Sequence, residues 1–250
     1  MSEQFKPIPI KSPAEHPWLF KLRCSVDLQL FTVTKYLRPA LSRIQGAVLD
    51  VGAGESPWRC WLPKGTHYQG IDIHNSGQFG MTTQLKDVVY YDGTLMPFGD
   101  ACFDTVMCIE VLEHAPVPDL MVSEISRVLK NKGKLILTVP WSARRHHIPH
   151  DYYRFTKECL INLMLANGFV NIEVMERGSD IGGIANKLIM LTLRLLKPKA
   201  TIKSAGAIGL GIFCLPLSIV FLVAAHGCEY FGLGSREDPL GYFVTAVRSR

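Results

Sequence analysis

The stretch Val48-Leu-Asp-Val-Gly-Ala-Gly-Glu-Ser-Pro57 decides how the rest of the chain is interpreted. Its first residues, with Ala47 before them, form an apolar run that predicts a buried strand. Gly52 and Gly54 then predict a turn whose bare backbone lets a ligand approach closely. A tight strand-to-helix turn without a ligand has the same short pattern, so the alternatives are a nucleotide-type site and a purely structural turn.

The residues around the two glycines bear on the charge of a ligand. Asp50 stands just before them, and Pro57 occupies the position where a dinucleotide fingerprint has its third glycine. A carboxylate there would repel a pyrophosphate, whereas it suits a ligand that carries an ammonium and a sulfonium group. The pattern therefore favours a cationic ligand over the cofactor of an NAD-dependent oxidoreductase.

Apolar runs and amphipathic segments alternate along the chain and predict an α/β fold. Strands are predicted over residues 47–49, 68–74, 86–91, 105–109, 134–139 and 170–175, and helices over 25–44 with an interruption at Pro39, from about 57, over 117–129 and over 156–166. Residues 1–24 are predicted to be irregular, with Trp18, Leu19 and Phe20 as anchors. The alternation predicts a doubly wound, mostly parallel sheet with ligands at the carboxyl ends of its strands. Residues 241–247 are predicted to add an antiparallel last strand.

A second acidic residue follows the second predicted strand. Asp72 lies 22 residues after Asp50, which is about where a βαβ nucleotide site has the acid that accepts hydrogen bonds from both ribose hydroxyls. This spacing strengthens the prediction of a nucleotide-type site.

Four pieces of the chain, in order, resemble the class I S-adenosylmethionine-dependent methyltransferases, and the type 11 methyltransferase domain most closely. They are Asp50-Val-Gly-Ala-Gly54, Ile71-Asp72, Asp92-Gly93 with Leu95-Met-Pro-Phe98, and Glu110-Val-Leu-Glu-His114 with Glu124-Ile-Ser-Arg-Val-Leu-Lys130. The resemblance covers residues 46–176 and implies a Rossmann-like fold with S-adenosyl-L-methionine as cofactor. It departs from the family pattern at Ser56, where many relatives have a glycine.

The resemblance also implies a role for each matching residue. Asp50, Gly52 and Gly54 would line the methionine end of the donor, Asp72 with Ile73 would hold the ribose, Asp92 and Gly93 would lie beside the adenine, and Glu110 would lie at the floor of the site.

The segment from Ser142 to Thr156 supplies the candidates for catalysis. His147 and His150 are candidate general bases for a hydroxyl acceptor, because an imidazole titrates near neutral pH. The alternative is a structural network in which Arg154 pairs with Asp151. His114 is assigned to structure, and no metal is expected, because His146, His147 and His150 lack a regular facial spacing.

Composition restricts the class of protein. The 250 residues suffice for one large domain, and the net charge of +5 gives no reason to expect nucleic acid as a partner. The seven cysteines form no C-x-x-C pair, and the first residues contain no apolar signal segment, so a cytoplasmic protein is expected.

Residues 205–228 contain no charged side chain over a length that can span a membrane. Since the last strand must return to the sheet, a single crossing is disfavoured. Two alternatives keep the fold intact for residues 181–196 and 205–228. The first is a helical hairpin that enters the bilayer, with Lys197, Lys199 and Lys203 near anionic lipid. The second is a cap on the sheet or on a partner subunit. The predicted organisation is an arm (1–45), a methyltransferase domain (46–180), this insertion (181–232) and the last strand (233–250).

These inferences combine into one expected function. The chain would be a methyltransferase that acts on a small-molecule or lipid-linked acceptor at the cytoplasmic face of a membrane, through a membrane surface formed by residues 181–228. The alternative is a catalytically silent member that keeps the fold as a membrane-bound scaffold. The oligomeric state stays open.

Overall fold

Seven strands form one mixed sheet in a computed structural model that describes residues 5–81, 84–197 and 204–249. They are β1 (Ala47–Val51), β2 (His67–Ile73), β3 (Val88–Tyr91), β4 (Phe103–Ile109), β5 (Leu129–Pro140), β6 (Phe169–Arg177) and β7 (Gly241–Arg248). The strand order is β3-β2-β1-β4-β5-β7-β6. The pairs among β1 to β5 are parallel, and β7 is antiparallel to both β5 and β6. The doubly wound fold with an antiparallel last strand is confirmed.

Helices cover both faces of the sheet. They are α1 (Pro17–Val26), α2 (Leu28–Leu41), α3 (Pro118–Val128), α4 (Lys157–Ala166), α5 (Asp180–Leu196) and α6 (Ser204–Phe231). The alternation of side chains along β1 explains the two layers, because Val48 packs with Leu37 of α2 on one face, whereas Leu49 packs with Ile125 of α3 on the other. This arrangement leaves the carboxyl edge of the parallel strands open.

The start of the chain differs from the prediction. A helix, α1, occupies part of the segment predicted to be irregular, and Trp18, predicted as an anchor, is 67% exposed. The break before α2 falls at Asp27, whose side chain caps α2 by accepting a hydrogen bond from Leu30 N at 3.1 Å. The interruption predicted at Pro39 is therefore wrong, since this residue lies within the last turn of α2.

Two further boundaries also differ. The strand predicted over residues 134–139 begins earlier, at Leu129, so Lys132 and Gly133, which look like a helix end in the sequence, lie inside β5. The helix predicted from about Pro57 is only a 3-10 turn, Arg59–Trp61. By contrast, Thr156 caps α4 as predicted, because its hydroxyl accepts a hydrogen bond from Cys159 N.

The insertion consists of two helices that pack along each other. The helix α5 leaves the end of β6, and α6 returns toward β7, with a hydrogen bond of 2.8 Å between Thr192 and Ser218 at mid-length. Near the sheet, Ala185 and Ala225 pack with residues of the domain. Beyond that base most of α6 is exposed, so α6 does not form a cap on the sheet. Lys199 and Lys203 of the predicted basic run lie outside the described residues.

Candidate functional site

A cavity of about 570 Å³ opens at the carboxyl edge of the parallel strands. Its volume is within the range of about 300–1,000 Å³ that is typical of small-molecule sites. The candidate residues from the sequence line it, with the exception of Asp50: Gly52, Gly54, Asp72, Ile73, Asp92, Gly93, Glu110, His147 and His150. The fold thus brings together residues from five separate segments of the chain.

The glycine turn after β1 forms one wall of the cavity. Gly52 and Gly54 both have positive φ, +69° and +53°. A Cβ on Gly52 would lie 2.4 Å from Cγ2 of Val111, so no other residue fits without a shift. The N–H groups of Gly52 and Ala53 both donate to the carbonyl oxygen of Ile71, at 2.9 and 3.1 Å. The turn is therefore fixed against the end of β2.

Asp72, near the end of β2, is hydrogen-bonded to the glycine turn. Its Oδ2 accepts a hydrogen bond from Gly54 N at 2.8 Å, and its Oδ1 accepts one from Ile73 N at 2.7 Å. Burial raises the pKa of Asp72, although these two hydrogen bonds act in the opposite direction. A carboxylate has about four acceptor positions, so about two remain for the hydroxyl groups of a ligand.

Asp50 lies beneath the turn and outside the cavity lining. The hydroxyl of Tyr68 donates to Asp50 Oδ2 at 2.8 Å and lies 2.8 Å from Ser56 Oγ. Burial raises the pKa of Asp50 to about 7. The contact of Asp50 with a ligand that the resemblance implies stays a prediction. Through the hydroxyl of Tyr68, Asp50 is linked to Ser56, whose φ of +53° gives a left-handed conformation at the position where many relatives have a glycine.

Glu110 forms part of the floor and adopts a left-handed conformation with φ +56°. Its Oε1 accepts a hydrogen bond of 2.7 Å from Arg177, whose side chain is completely buried at the end of β6. Arg177 also donates to the carbonyl oxygens of Val139 and Tyr242, at 3.1 and 3.2 Å. The sequence gives no sign of this role, because Arg177 lies 67 residues away from Glu110 in the chain.

The rim beside β3 carries Asp92 and Gly93, with Gly93 at φ +88°. Asp92 Oδ1 accepts hydrogen bonds from the N–H and the hydroxyl of Thr94, at 2.9 and 2.6 Å. These bonds lower the pKa of Asp92 and keep it ionised. An exposed acceptor therefore lies beside the entrance to the cavity.

Four histidines cluster beside Phe79, and three of them contact its ring. The ring of Phe79 lies 5.3, 5.4 and 5.7 Å from the rings of His114, His147 and His150, and His146 lies 4.8 Å from His114. All four line the cavity. The loop that carries three of them is held by an ion pair of 2.6 Å between Arg154 and Asp151, as the structural alternative predicted. The ion pair between Arg154 and Asp151 therefore does not exclude His147 and His150 as candidate bases.

Sequence analysis missed the roles of two sets of residues, one lining the cavity and one buried beside it. Pro7 to Ile10 cover one side, held by Arg23, which donates to the carbonyl oxygens of Ile8 and Pro9 at 2.8 Å each. Glu113, completely buried between two histidines, is the second. A low-complexity, Pro-containing arm carries no motif, and Glu113 could have been noticed only as a charged residue inside an apolar segment.

Comparisons with known proteins agree with this geometry. Residues 49–137 match the family described as the methyltransferase domain. Squalene methyltransferase 1 of Botryococcus braunii is 30% identical over 54% of this chain and 37% of its own length. A sterol 24-C-methyltransferase of Gibberella zeae is 37% identical over 34% of this chain and 25% of its own length. The chain thus spans less than half of the length of these curated relatives.

A solved structure of a SAM-dependent methyltransferase from Archaeoglobus fulgidus has the same fold. It superposes with a TM-score of 0.52 over 93% of this chain and 99% of its own, at 18% identity. The likeness extends beyond residues 49–137 to nearly the whole chain.

Proposed function

Because residues 49–137 form a methyltransferase domain of the S-adenosylmethionine-dependent class, we propose that the chain transfers a methyl group from S-adenosyl-L-methionine to a lipid or lipid-linked acceptor at the cytoplasmic face of a membrane. The observation that carries the proposal is the cavity in which the glycine turn, Asp72 and Glu110 meet at one sheet edge. That edge is where a doubly wound fold binds its ligand.

The donor lies along the glycine turn. The close backbone of Gly52 and Gly54 admits the methionine part, the free acceptor positions of Asp72 take the ribose hydroxyls, and Asp92 with Gly93 borders the adenine. Glu110, fixed by Arg177, adds negative charge at the floor. This set of acids suits a ligand with an ammonium and a sulfonium group.

The reaction is an in-line displacement at the methyl carbon. The bond from sulfur to the methyl carbon breaks with its electron pair going to sulfur, and the acceptor atom forms the new bond. Since no covalent intermediate with the protein is required, the chain contributes alignment and exclusion of water. His147 and His150 lie in the cavity at the end where the acceptor enters, and either suits the removal of a hydroxyl proton.

An apolar acceptor is favoured by the lining beyond the donor residues. Val117, Leu120 and Met121 from the start of α3 line the cavity with Ile8 and Ile10. Two of the relatives are named as methyltransferases of squalene and of a sterol, and both of these acceptors are apolar. An acceptor with an apolar part would bury that part against these side chains.

The membrane part of the proposal is supported by α6. Residues Ala205–Phe231 are long enough and apolar enough to cross a bilayer, with a mean hydropathy of 2.5. The helix exposes large apolar side chains such as Phe213, which is 75% exposed. Such a surface is unfavourable in water, and lipid would cover it. The α5–α6 hairpin would then hold the domain at the surface from which a lipid-linked acceptor enters the cavity.

Donor binding is the first test. Calorimetric titration with S-adenosyl-L-methionine is expected to show one site, and Asp72→Ala is expected to weaken it at least 10-fold, because the ribose hydroxyls lose their acceptors. Asp87→Ala, which removes a half-exposed carboxylate before β3, is the matched control. No binding by the unmodified protein would refute the proposal.

Turnover is the second test and separates an enzyme from the scaffold. Donor with a labelled methyl group is incubated with separated lipid, glycan, small-molecule and protein fractions of the source cell. Label is expected in the lipid fraction. Binding of donor without transfer to any fraction would favour the silent scaffold.

A further inference from the structure

Glu113 is a buried carboxylate with no hydrogen-bond donor beside it. Its side chain is 0% exposed, and neither of its oxygens accepts a hydrogen bond from any residue that the structure describes. An ionised carboxylate in that position costs several kcal/mol unless a positive group faces it. A positive group beside Glu113 would remove that cost.

Two imidazoles face this carboxylate with their unprotonated nitrogens. His114 Nδ1 lies 2.6 Å from the carbonyl oxygen of His150, so it carries the proton and donates there, and Nε2 keeps its lone pair. That Nε2 lies 3.6 Å from Glu113 Oε1.

His146, in the loop after β5, is oriented in the same way as His114, with Nδ1 beside acceptors and Nε2 toward Glu113. Its Nδ1 lies 3.2 Å from the carbonyl oxygen of Arg144 and 3.3 Å from Asp151 Oδ2, both of which are acceptors. Its Nε2 lies 3.8 Å from Glu113 Oε1. Three groups with lone pairs thus converge on one point without a proton donor among them.

We propose that Glu113, His114 and His146 bind a divalent transition-metal ion at the acceptor end of the donor cavity. One ligand atom from each residue lies within 4.8 Å of the others. Ligands at about 2.1 Å from a tetrahedral Zn²⁺ are separated by about 3.4 Å, so the ligand atoms need to move inward by only a few tenths of an ångström to about an ångström. Two imidazoles and one carboxylate form the donor set of catalytic Zn²⁺ sites and of non-haem Fe²⁺ sites.

A shared proton does not explain the arrangement as well. The separations of 3.6 and 3.8 Å between Glu113 and the imidazoles exceed hydrogen-bond length. A metal ion fits such separations because it lies between its ligands. The carbonyl oxygen of His150 and the carboxylate of Asp151 hold the far nitrogens of the two rings, which is how histidine ligands are oriented in metal sites.

Three protein ligands leave at least one position of the ion free, and His114 and His146 both line the cavity. If the proposed transfer reaction holds, that position takes an oxygen of the acceptor, so the acceptor class is a hydroxyl or phosphate ester and not a hydrocarbon. The ion would withdraw charge from a bound hydroxyl, whose proton would pass to His147 or His150 as the oxygen forms its bond to the methyl carbon. The metal site itself does not depend on that reaction.

The test uses the full chain freed of metal with a chelator and then titrated with Zn²⁺ alone by calorimetry. One ion per chain is expected. Glu113→Gln, which keeps the shape of the side chain, and His146→Gln are each expected to weaken binding at least 10-fold. His67→Gln is the matched control, because His67 is exposed at the amino end of β2, on the opposite edge of the sheet. Co²⁺ in place of Zn²⁺ should give a visible spectrum without a band from thiolate ligands, which excludes the cysteines.

Thermal unfolding of the same variants shows whether a loss of binding comes from a loss of the fold. Zn²⁺ should raise the Tm of the unmodified protein and of His67→Gln but not of Glu113→Gln. Should Glu113→Gln fail to fold, the partly exposed His146→Gln decides. Absence of binding by the unmodified protein, or binding by both site variants as tight as by the unmodified protein, would overturn the proposal. Metal binding without donor binding would refute only the proposed function, whereas donor binding without metal binding would refute only the metal site.

Discussion

Gly52 occupies the point where the turn after β1 comes closest to the loop after β4. Two independent features require glycine at this position. Its φ is +69°, and a Cβ there would lie 2.4 Å from Val111. Gly52→Ala is therefore expected to lower the free energy of unfolding by about 1–3 kcal/mol and to weaken donor binding, since the turn must move.

Gly77→Ala is the control for that change. Gly77 has no positive φ, and a Cβ there would meet nothing within 4 Å. Denaturant unfolding and donor titration of both variants give the comparison. Equal effects of the two substitutions would contradict the role assigned to the turn.

Asp50 makes stability depend on pH. Burial raises its pKa from 3.8 to about 7 in the folded protein, so the folded state holds this proton more tightly than the unfolded chain does. The contribution of Asp50 to the free energy of unfolding is therefore present below about pH 4 and is lost as the pH rises to about 7. Asp50→Asn, which still offers Tyr68 an oxygen but does not ionise, is expected to gain stability relative to the unmodified protein across that interval.

Urea unfolding at pH 5 and pH 8 measures the Asp50 effect. The difference in free energy of unfolding between Asp50→Asn and the unmodified protein should be more favourable to the variant at pH 8. A difference that does not change with pH would show that Asp50 ionises normally in the fold.

Residues whose roles are local could be predicted from the sequence. Gly52 and Gly54 come just after β1 and Asp72 lies near the end of β2, so spacing alone places them at one edge. Arg177 and Glu113 could not be found in this way. Their importance comes from partners, Glu110 and two histidines, that only the folded chain brings near.

Among the elements, α6 offers the sharpest prediction. Phe213 and Val220 are 75% and 62% exposed on a helix that carries no Asp, Glu, Lys or Arg over residues 205–228. The double substitution Phe213→Asp with Val220→Asp should reduce binding to vesicles that contain anionic lipid by at least 10-fold, because two charges would have to enter the hydrocarbon. Cosedimentation with the vesicles measures the bound fraction.

Leu165→Asp serves as the control for the vesicle experiment. Leu165 is 56% exposed on α4, outside the hairpin, so its substitution should leave binding unchanged. An unmodified protein that stays in solution with vesicles would refute the membrane proposal. A soluble dimer that dissociates on substitution of α6 would instead identify a second copy of the chain as the cover of this surface.

The boundaries of elements were predicted less well than their existence. Lys132 and Gly133 look like a helix end, yet pairing of the chain with β4 extends β5 back to Leu129. The break at Asp27 was missed because a capping side chain competes with the apolar periodicity that continues on both sides of it. Tertiary pairing and a local hydrogen bond thus overrode the periodicity in these two places.

At the scale of the whole molecule, the sheet brings distant parts of the chain around one cavity. The strands supply the donor side, the loop after β5 supplies the histidines, and the N-terminal arm covers an open side. The doubly wound, mostly parallel sheet followed from the alternating pattern, whereas the position of the arm did not, since it depends on Arg23 reaching back from α1.

Arg23 consequently links the arm to the retention of ligand. Its two hydrogen bonds of 2.8 Å to Ile8 and Pro9 hold the arm over the cavity. Arg23→Ala should weaken donor binding about 5-fold, which corresponds to about 1 kcal/mol for partly exposed bonds, chiefly through faster release. Stopped-flow measurement of donor dissociation distinguishes this from slower entry. Arg43→Ala is the control, because it removes an exposed arginine just after α2 and should leave the rate of donor dissociation unchanged. An equal effect of both substitutions would mean that net charge, and not the arm, retains the donor.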